Sequence, residues 1–288
     1  MGILVLSARP DTASNRRLAE SAGAAGIELR VADATRLVTD AGRGLLEEDG
    51  RPPTPAPDVV LARVGNWRPD SLLALLESLV GAGVATPNPP EAIRIGRDHW
   101  RTARALAAAG LPVPVTIAGA DPEVLAAAAR RLDFPVVVKQ RRSRMGVGVV
   151  RCPSPDHLEA VLDSLWRVGD ELVVQRYHET GGASLRLLVV AGRVVAAARF
   201  VAAAGDWRSN AARGGSVAAF VPAAAEEELA VAATRAVGLG ICGVDLLPGS
   251  DGLLVGEVNP TPGFVHLERA TGADVAAAIV AHLAELAS

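Results

Sequence analysis

The chain is short of the features that would announce a metal cluster, a membrane or a nucleic-acid partner. Its 288 residues include two cysteines, Cys152 and Cys242, which lie far apart without a metal-ligand spacing. That excludes a cysteine-built zinc site or a disulfide scaffold. Cys242, inside the apolar run GLGICGVDLL, reads as a small buried side chain rather than a nucleophile. Basic excess is also missing: the net charge is −3 and the pI about 6.0, so no global field recruits nucleic acid. No run of about 18 uncharged apolar residues occurs, so no membrane-spanning helix is expected. The opening MGILVLSARP lacks a basic leader and a small-residue cleavage site, so no secretory signal is expected and the cytoplasm is the expected compartment. The phosphate-binding spacing GxxxxGK[ST] is absent, as are internal repeats and coiled-coil heptads. What the chain does have is core: 50% of its residues are hydrophobic and 21% charged, enough for two or three small α/β lobes.

Short apolar strands alternate with helical patterns through the first part of the chain. The run 3–6, a helix from Thr12 to Ala25 stopped by Gly26, alternation at Ile27, Leu29 and Val31, a strand at 58–62 and a helix from Ser71 to Val80 predict a small parallel, doubly wound sheet. The segment 86–90 closes this lobe, and a linker helix from about Asp98 ends at Gly110. Strands at 113–117, 135–139 and 146–151, with helices opened by Asp121-Pro122 and Ser154-Pro155, predict a second, α+β lobe. Beyond Leu172 strands dominate, with Ala191-Gly192 marking a tight hairpin, a helix from Glu226 to Val237, strands at 241–247 and 253–258, and a last helix from Asp274 to Leu286.

Three segments carry chemistry. In LLVGEVNPTPG (253–263), Glu257 and Asn259 lie two apart on a strand and so share a face. Asp245 ends the preceding apolar run, and pairing of the two strands would bring it to the same face. Three hard oxygens suit magnesium, which takes few protein ligands and completes its shell with phosphates and water. The other reading is a strand-end turn at Glu257 and Asn259 with Asp245 a solvated cap. In FPVVVKQRRSRMGVGVV (134–150), Lys139 ends a buried strand and a loop bearing Gly146 and Gly148 follows, a phosphate-binding arrangement or, more simply, a snorkelling lysine before a hairpin. In GDWRSNAARGG (205–215), Arg208 and Arg213 flank Asn210, and two guanidiniums there could hold a phosphoryl or carboxylate group; an exposed hairpin tip is the alternative.

The ordered set VVVK, the glycine loop, RSNxxRGG, GVD and EVNPTPGFxxLExxTGxD resembles the RimK-type ATP-grasp ligases, and the likeness runs along nearly the whole chain. It implies an α/β (α+β) ATP-grasp fold in three subdomains, bounded at 1–95, 96–172 and 173–288, the last two clasping ATP. It implies that Lys139, under the loop of Gly146 and Gly148, contacts the nucleotide; that Gln175, Arg176 and Tyr177 flank the base; and that Glu179 meets the ribose. Asp245, Glu257 and Asn259 match the magnesium ligands, with manganese able to substitute, and Arg208, Asn210 and Arg213 match the loop at the γ-phosphate. The reaction implied joins a carboxylate and an amine through an acyl-phosphate, releasing ADP and phosphate. A kinase-like phosphotransferase and a non-catalytic nucleotide-binding regulator are the rivals. Implied partners are ATP, small-molecule or peptide acids and amines, a carrier-protein or protein-tail acceptor, and further copies of the chain as a dimer or tetramer; neither nucleic acid nor membrane is expected. Three departures stand out. His99 occupies the place of a lysine, which predicts a pH-dependent cation at the nucleotide, and the loop after Lys139 reads QRRSRMG, whose Arg141, Arg142 or Arg144 could supply that charge instead. Ser184 replaces an acidic residue, with Arg186 retained.

Overall fold

The computed structural model describes residues 2–65, 67–142, 148–166, 171–208, 214–249 and 252–288. The chain opens with β1 (Gly2–Ser7), α1 (Ala13–Ala24) and β2 (Glu28–Asp33). A hairpin of β3 (Val38–Asp40) and β4 (Gly44–Leu46) follows, then β5 (Val59–Arg63) and α2 (Pro69–Gly81). The main sheet is parallel in the order β2-β1-β5, as the strand–helix–strand alternation predicts. Strand parity makes it doubly wound. Ile3, Val5, Val59 and Leu61 bury one face with Leu18 of α1, while Leu4, Leu6, Val60 and Ala62 bury the other with Leu72, Leu73 and Leu76 of α2. The strand order therefore reverses between β1 and β5.

Caps set the helix starts. The Thr12 hydroxyl accepts from Asn15 N–H at 3.2 Å and Gly26 stops the same helix region in the left-handed conformation at φ 69°. The segment read as closing the lobe instead opens α3 (Pro90–Gly96), because proline at the first helical position lacks only an N–H that would go unbonded anyway. The linker helix α4 spans His99–Ala108, and Asp98 caps it by accepting from Trp100 and Arg101 N–H.

A four-stranded antiparallel sheet comes next: β6 (Thr116–Ala118), β7 (Val136–Gln140), β8 (Val149–Cys152) and β9 (Leu172–Arg176), ordered β6-β9-β7-β8. Helices α5 (Pro122–Ala129) and α6 (Pro155–Trp166) cover one face with a core of their own that includes Leu125, Ala129, Val136, Val138, Leu158 and Val174. The opposite face carries Thr116, Val137, Lys139 and Gln175, which share a strand parity.

The largest sheet is antiparallel, ordered β12-β11-β10-β13-β14. Its strands are β10 (Ala183–Val190), β11 (Arg193–Val201), β12 (Ser216–Ala219), β13 (Ile241–Gly249) and β14 (Gly252–Asn259), with α7 (Ala224–Val237), α8 (Val265–Thr271) and α9 (Val275–Leu286) packed on it. This sheet shares both its cores with the N-terminal one: Leu187, Val189 and Val244 join one cluster, and Leu188, Val190, Ala198 and Ile241 the other. Arg17 of α1 adds ion pairs to Glu268 and Asp274 at 3.0 Å each.

The β10–β11 hairpin turns on Ala191 at φ 50° and Gly192 at φ 71°, the two positive values of a type I′ turn. Alanine bears a steric cost there that glycine does not. Ala191→Gly should therefore raise stability by about 0.5–1 kcal/mol, seen as a higher urea midpoint at unchanged slope. A lowered midpoint would show that the unfolded chain's gain in freedom outweighs the relieved strain.

Candidate active site

The site grows from a row across the large sheet. Arg186 of β10 lies opposite Asp245 of β13, and Asp245 opposite Glu257 of β14, so the three side chains rise from one face in line. Two residues along, Gly243 faces Asn259. The register slips just after Asp245, making Gly256 the extra residue of a bulge; a Cβ on Gly256 would lie 2.8 Å from Leu247. Such a bulge re-aims the neighbouring side chain, here Glu257. Arg186 grips Asp245 bidentately, with Nε–Oδ1 at 2.6 Å and Nη2–Oδ2 at 2.5 Å. Burial works against the guanidinium's charge, but Asp245's charge and hydrogen bonds, with Glu257 beyond, outweigh it and raise the Arg186 pKa.

Asn259 does two things at once. Its register puts it beside the carboxylates, and its Oδ1 accepts from Thr261 N–H at 2.9 Å, opening the Pro-Thr-Pro-Gly turn. The strand-end turn foreseen as one alternative is thus present at Asn259, on the face that Asp245 and Glu257 share. Among the described residues no group of three His, Cys, Asp or Glu side chains is placed to hold a metal. Two facing carboxylates and an amide remain, a sparse oxygen set of the kind magnesium accepts when phosphates complete its shell.

Facing this row is the other face of the four-stranded sheet, the one that carries Lys139 and Gln175. Lys139 Nζ donates to Gln175 Oε1 at 2.7 Å, and Gln175 Nε2 donates to Thr116 Oγ1 at 2.8 Å. Burial lowers the Lys139 pKa, while the charges of Glu257 and Asp245 pull it back up, which ties the ammonium electrostatically to the carboxylate row. A snorkelling lysine would show none of this.

His99 gives a different answer from the one its position in the sequence predicts. Burial, with Lys139 adding to it and Asp98 opposing, pushes its pKa down to about 3. A second cation nearby is Arg141, whose guanidinium holds Asp98 through Nη2 at 2.6 Å and Nε at 3.2 Å and reaches Glu171 at 3.4 Å. The hydrogen bond to Asp98 raises the Arg141 pKa, and the Arg141 carbonyl accepts from His99 N–H at 2.8 Å. His99 is therefore neutral throughout the physiological range. Nucleotide affinity should consequently stay flat between pH 8 and 6 rather than rise, as titrations with a non-hydrolysable ATP analogue would read. Folding behaves otherwise: below pH 6.5 the unfolded chain protonates this histidine and the native one does not. Its contribution is complete above 6.5 and is lost toward pH 3, at up to about 1.4 kcal/mol per pH unit. His99→Gln should flatten that part of the stability profile; an unchanged profile would contradict the neutral assignment.

The remaining predicted residues fall into three groups. Tyr177 is held under the Arg151 guanidinium, 4.3 Å from its ring centroid, and meets Trp207 edge-on at 5.7 Å. Glu179 is exposed and accepts from Gly181 N–H at 3.2 Å. Arg176 has the opposite strand parity to Gln175, and its guanidinium goes to the surface, 3.0 Å from Asp133; only its backbone can border the face of Lys139. Arg208 turns back on Asp206, with Nε–Oδ1 at 3.0 Å. Gly148 adopts φ 69° against the Gln140 side chain. Gly146, Asn210 and Arg213 lie outside the described residues. Sequence reasoning missed the Asp98–Arg141 pair, since 43 residues separate its members and no local period links them. It also missed the aromatic contact of Trp207 with Tyr177, although a tryptophan beside the RSN block was a visible signal.

The family model of a RimK-like ATP-grasp domain matches residues 96–283. A protein of Xanthomonas euvesicatoria pv. vesicatoria (strain 85-10), named "Probable alpha-L-glutamate ligase", is 39% identical over 98% of this chain and 97% of its own length. One of the same name from Stenotrophomonas maltophilia (strain K279a) is 36% identical over 99% of both. Among solved structures, a RimK domain ATP-grasp protein from Sphaerobacter thermophilus DSM 20745 superposes with TM-score 0.76 at 22% identity, covering 98% of this chain and 99% of that one. The ATP-grasp ligase PsnB, complexed with a minimal precursor, gives TM-score 0.76 at 22% identity over 99% and 98%. The D-cycloserine synthetase DcsG gives 0.72 at 22% identity over the whole of both. At that identity the structures speak for the fold, whereas the family match and the full-length relatives speak for descent: this chain belongs to the RimK-like ATP-grasp ligase family.

Proposed function

We propose that the chain cleaves ATP to ADP and phosphate while joining a carboxylate to an amine, with an amino acid of the glutamate class as the amine substrate. The observation that carries this reading is the Arg186–Asp245–Glu257 row facing Lys139: two neighbouring carboxylates between a guanidinium on their own sheet and an ammonium on the other. Phosphoryl transfer asks a protein chiefly for positioning and charge neutralisation, and this arrangement offers both. The lobes at 96–172 and 173–288 would clasp the nucleotide between them, with Lys139 at its phosphates and the backbone of 175–177 at its base. Asp245, Glu257 and Asn259 would hold magnesium, which when bound neutralises phosphate charge. Arg186 holds the Asp245 carboxylate in place through its two hydrogen bonds. Arg208, Asn210 and Arg213 would border the transferred phosphoryl group. The substrate carboxylate, held in line with the γ-phosphorus, would form an acyl-phosphate, and the amine would then expel phosphate from its acyl carbon. The names of the full-length relatives support the glutamate class.

Phosphate release from ATP, screened over pairs of acids and amino acids and followed by mass spectrometry, tests the reading. An amide product whose formation requires both partners is expected. Phosphate release with a phosphorylated acid as the final product would replace the ligase by a phosphotransferase.

A further inference from the structure

Guanidiniums gather at the carboxyl ends of β1 and β5. Arg63, the last residue of β5, donates through Nη2 to the Pro262 carbonyl at 3.0 Å and lies over the Phe264 ring, 5.8 Å from its centroid. Arg97, just after α3, donates to the Val64 carbonyl at 2.8 Å. Arg9 is exposed on the loop that follows β1. That loop is fixed: the Ser7 hydroxyl donates to the Arg9 carbonyl at 2.9 Å, and the buried Asn15 amide donates to the same oxygen at 3.0 Å. Ser7 and Arg63 are register partners. The place is the crevice where the strand order reverses, the position at which open α/β sheets take their ligands.

This crevice adjoins the carboxylate row. Pro262 belongs to the turn that starts at Asn259, whose side chain holds Thr261 N–H. The end of α3 packs on the same turn so closely that a Cβ on Gly96 would fall 3.1 Å from the Val258 carbonyl and from Pro260. Cβ atoms placed on Gly65 or Gly263 would meet nothing within 4 Å, so the two rims are open. A guanidinium presents five donors in a planar fork matched to a carboxylate. The carbonyl bonds to Pro262 and Val64 fix the orientation of two such forks.

We infer that the crevice between β1 and β5 binds the carboxylates of an acidic amino-acid substrate, with Arg63 as the principal contact and Arg9 as the second. Bound there, the amino acid has its carboxylates held by arginine and its amine directed toward the turn at Asn259. The assignment rests on the amide-forming reading and names the residues that select its amine partner.

L-glutamate, L-glutamine and L-alanine, titrated into the full chain saturated with magnesium and a non-hydrolysable ATP analogue, provide the test. Wild type should prefer glutamate. Arg63→Lys should weaken glutamate by about 10- to 100-fold and alanine far less. Arg9→Ala, at an exposed position where folding is not at stake, should weaken glutamate by a few fold with alanine unchanged. Nucleotide affinity, titrated separately, should stay within twofold in both variants. Glutamate binding equal to wild type in both variants overturns the crevice while leaving amide formation intact. Turnover distinguishes the other failure: if wild type releases phosphate with no acid–amine pair, the amide-forming reading falls and this assignment with it.

Discussion

Glu257→Gln should abolish turnover, on the order of 10²-fold or more, and leave the fold standing. The glutamine keeps the volume at the bulge but removes the charge that faces Lys139 and would hold a divalent cation. Asp245→Asn should cost at least as much activity, yet it is not an equally clean experiment. Asp245 is bonded bidentately to Arg186, and both side chains are largely buried, at 16% and 23% exposure. Taking its charge away leaves a guanidinium without its counter-ion, so a stability loss of about 2–4 kcal/mol should accompany the lost activity. Steady-state phosphate release and a urea melt on each variant separate the two effects. Near-wild-type turnover of Glu257→Gln across a magnesium series would remove the carboxylate row from the chemistry. A Glu257→Gln melt as damaged as that of Asp245→Asn would make the row an architectural feature instead.

The difference between these two residues is also where sequence and structure part company. Periodicity was enough to place Glu257 and Asn259 on one face, since alternation is local. Whether Asp245 joined them depended on register, and the short link between the two runs made antiparallel pairing the natural choice. Nothing local could show that Arg186, 59 residues away, would take the same row and occupy the Asp245 carboxylate. The N-terminal sheet was legible because β1 and β5 are apolar runs, β2 alternates and α1 carries its own cap. Helix α3 was not, because Pro89-Pro90 read as a terminator when the second proline was a first-turn residue. The hairpin of β3 and β4 escaped because β3 is wholly exposed and has no apolar alternation to find. Helix α8 is only seven residues long, too short to show a helical period. His99 shows a limit of another kind: residue type suggests a titrating group, but burial and a neighbouring ammonium set the pKa, and both come from the tertiary fold.

Lys139→Met should weaken binding of the magnesium complex of a non-hydrolysable ATP analogue by about 30- to 100-fold, the loss of one charge-assisted contact to phosphate in a poorly solvated cleft. Methionine keeps the length and the apolar stem but offers Gln175 no donor and the phosphates no cation. The wild-type lysine should also leave a mark on pH dependence. Burial lowers its pKa from 10.5, and the carboxylates of Glu257 and Asp245 only partly restore it. The ammonium is thus lost earlier than usual on the alkaline side. Affinity for the analogue should fall as pH rises toward the ordinary lysine value, with the decline beginning below it. Lys139→Arg replaces the group by one that stays charged across that range, so its affinity profile should be flat there. Isothermal titration from pH 7 upward on wild type, Lys139→Met and Lys139→Arg reads all three outcomes together. If Lys139→Met bound the analogue as tightly as wild type, the lysine would be a support for Gln175 and not a phosphate contact. If wild type and Lys139→Arg lost affinity in parallel, the alkaline decline would belong to another group, and the electrostatic link from Lys139 across the cleft to the carboxylate row would have no part in holding the nucleotide.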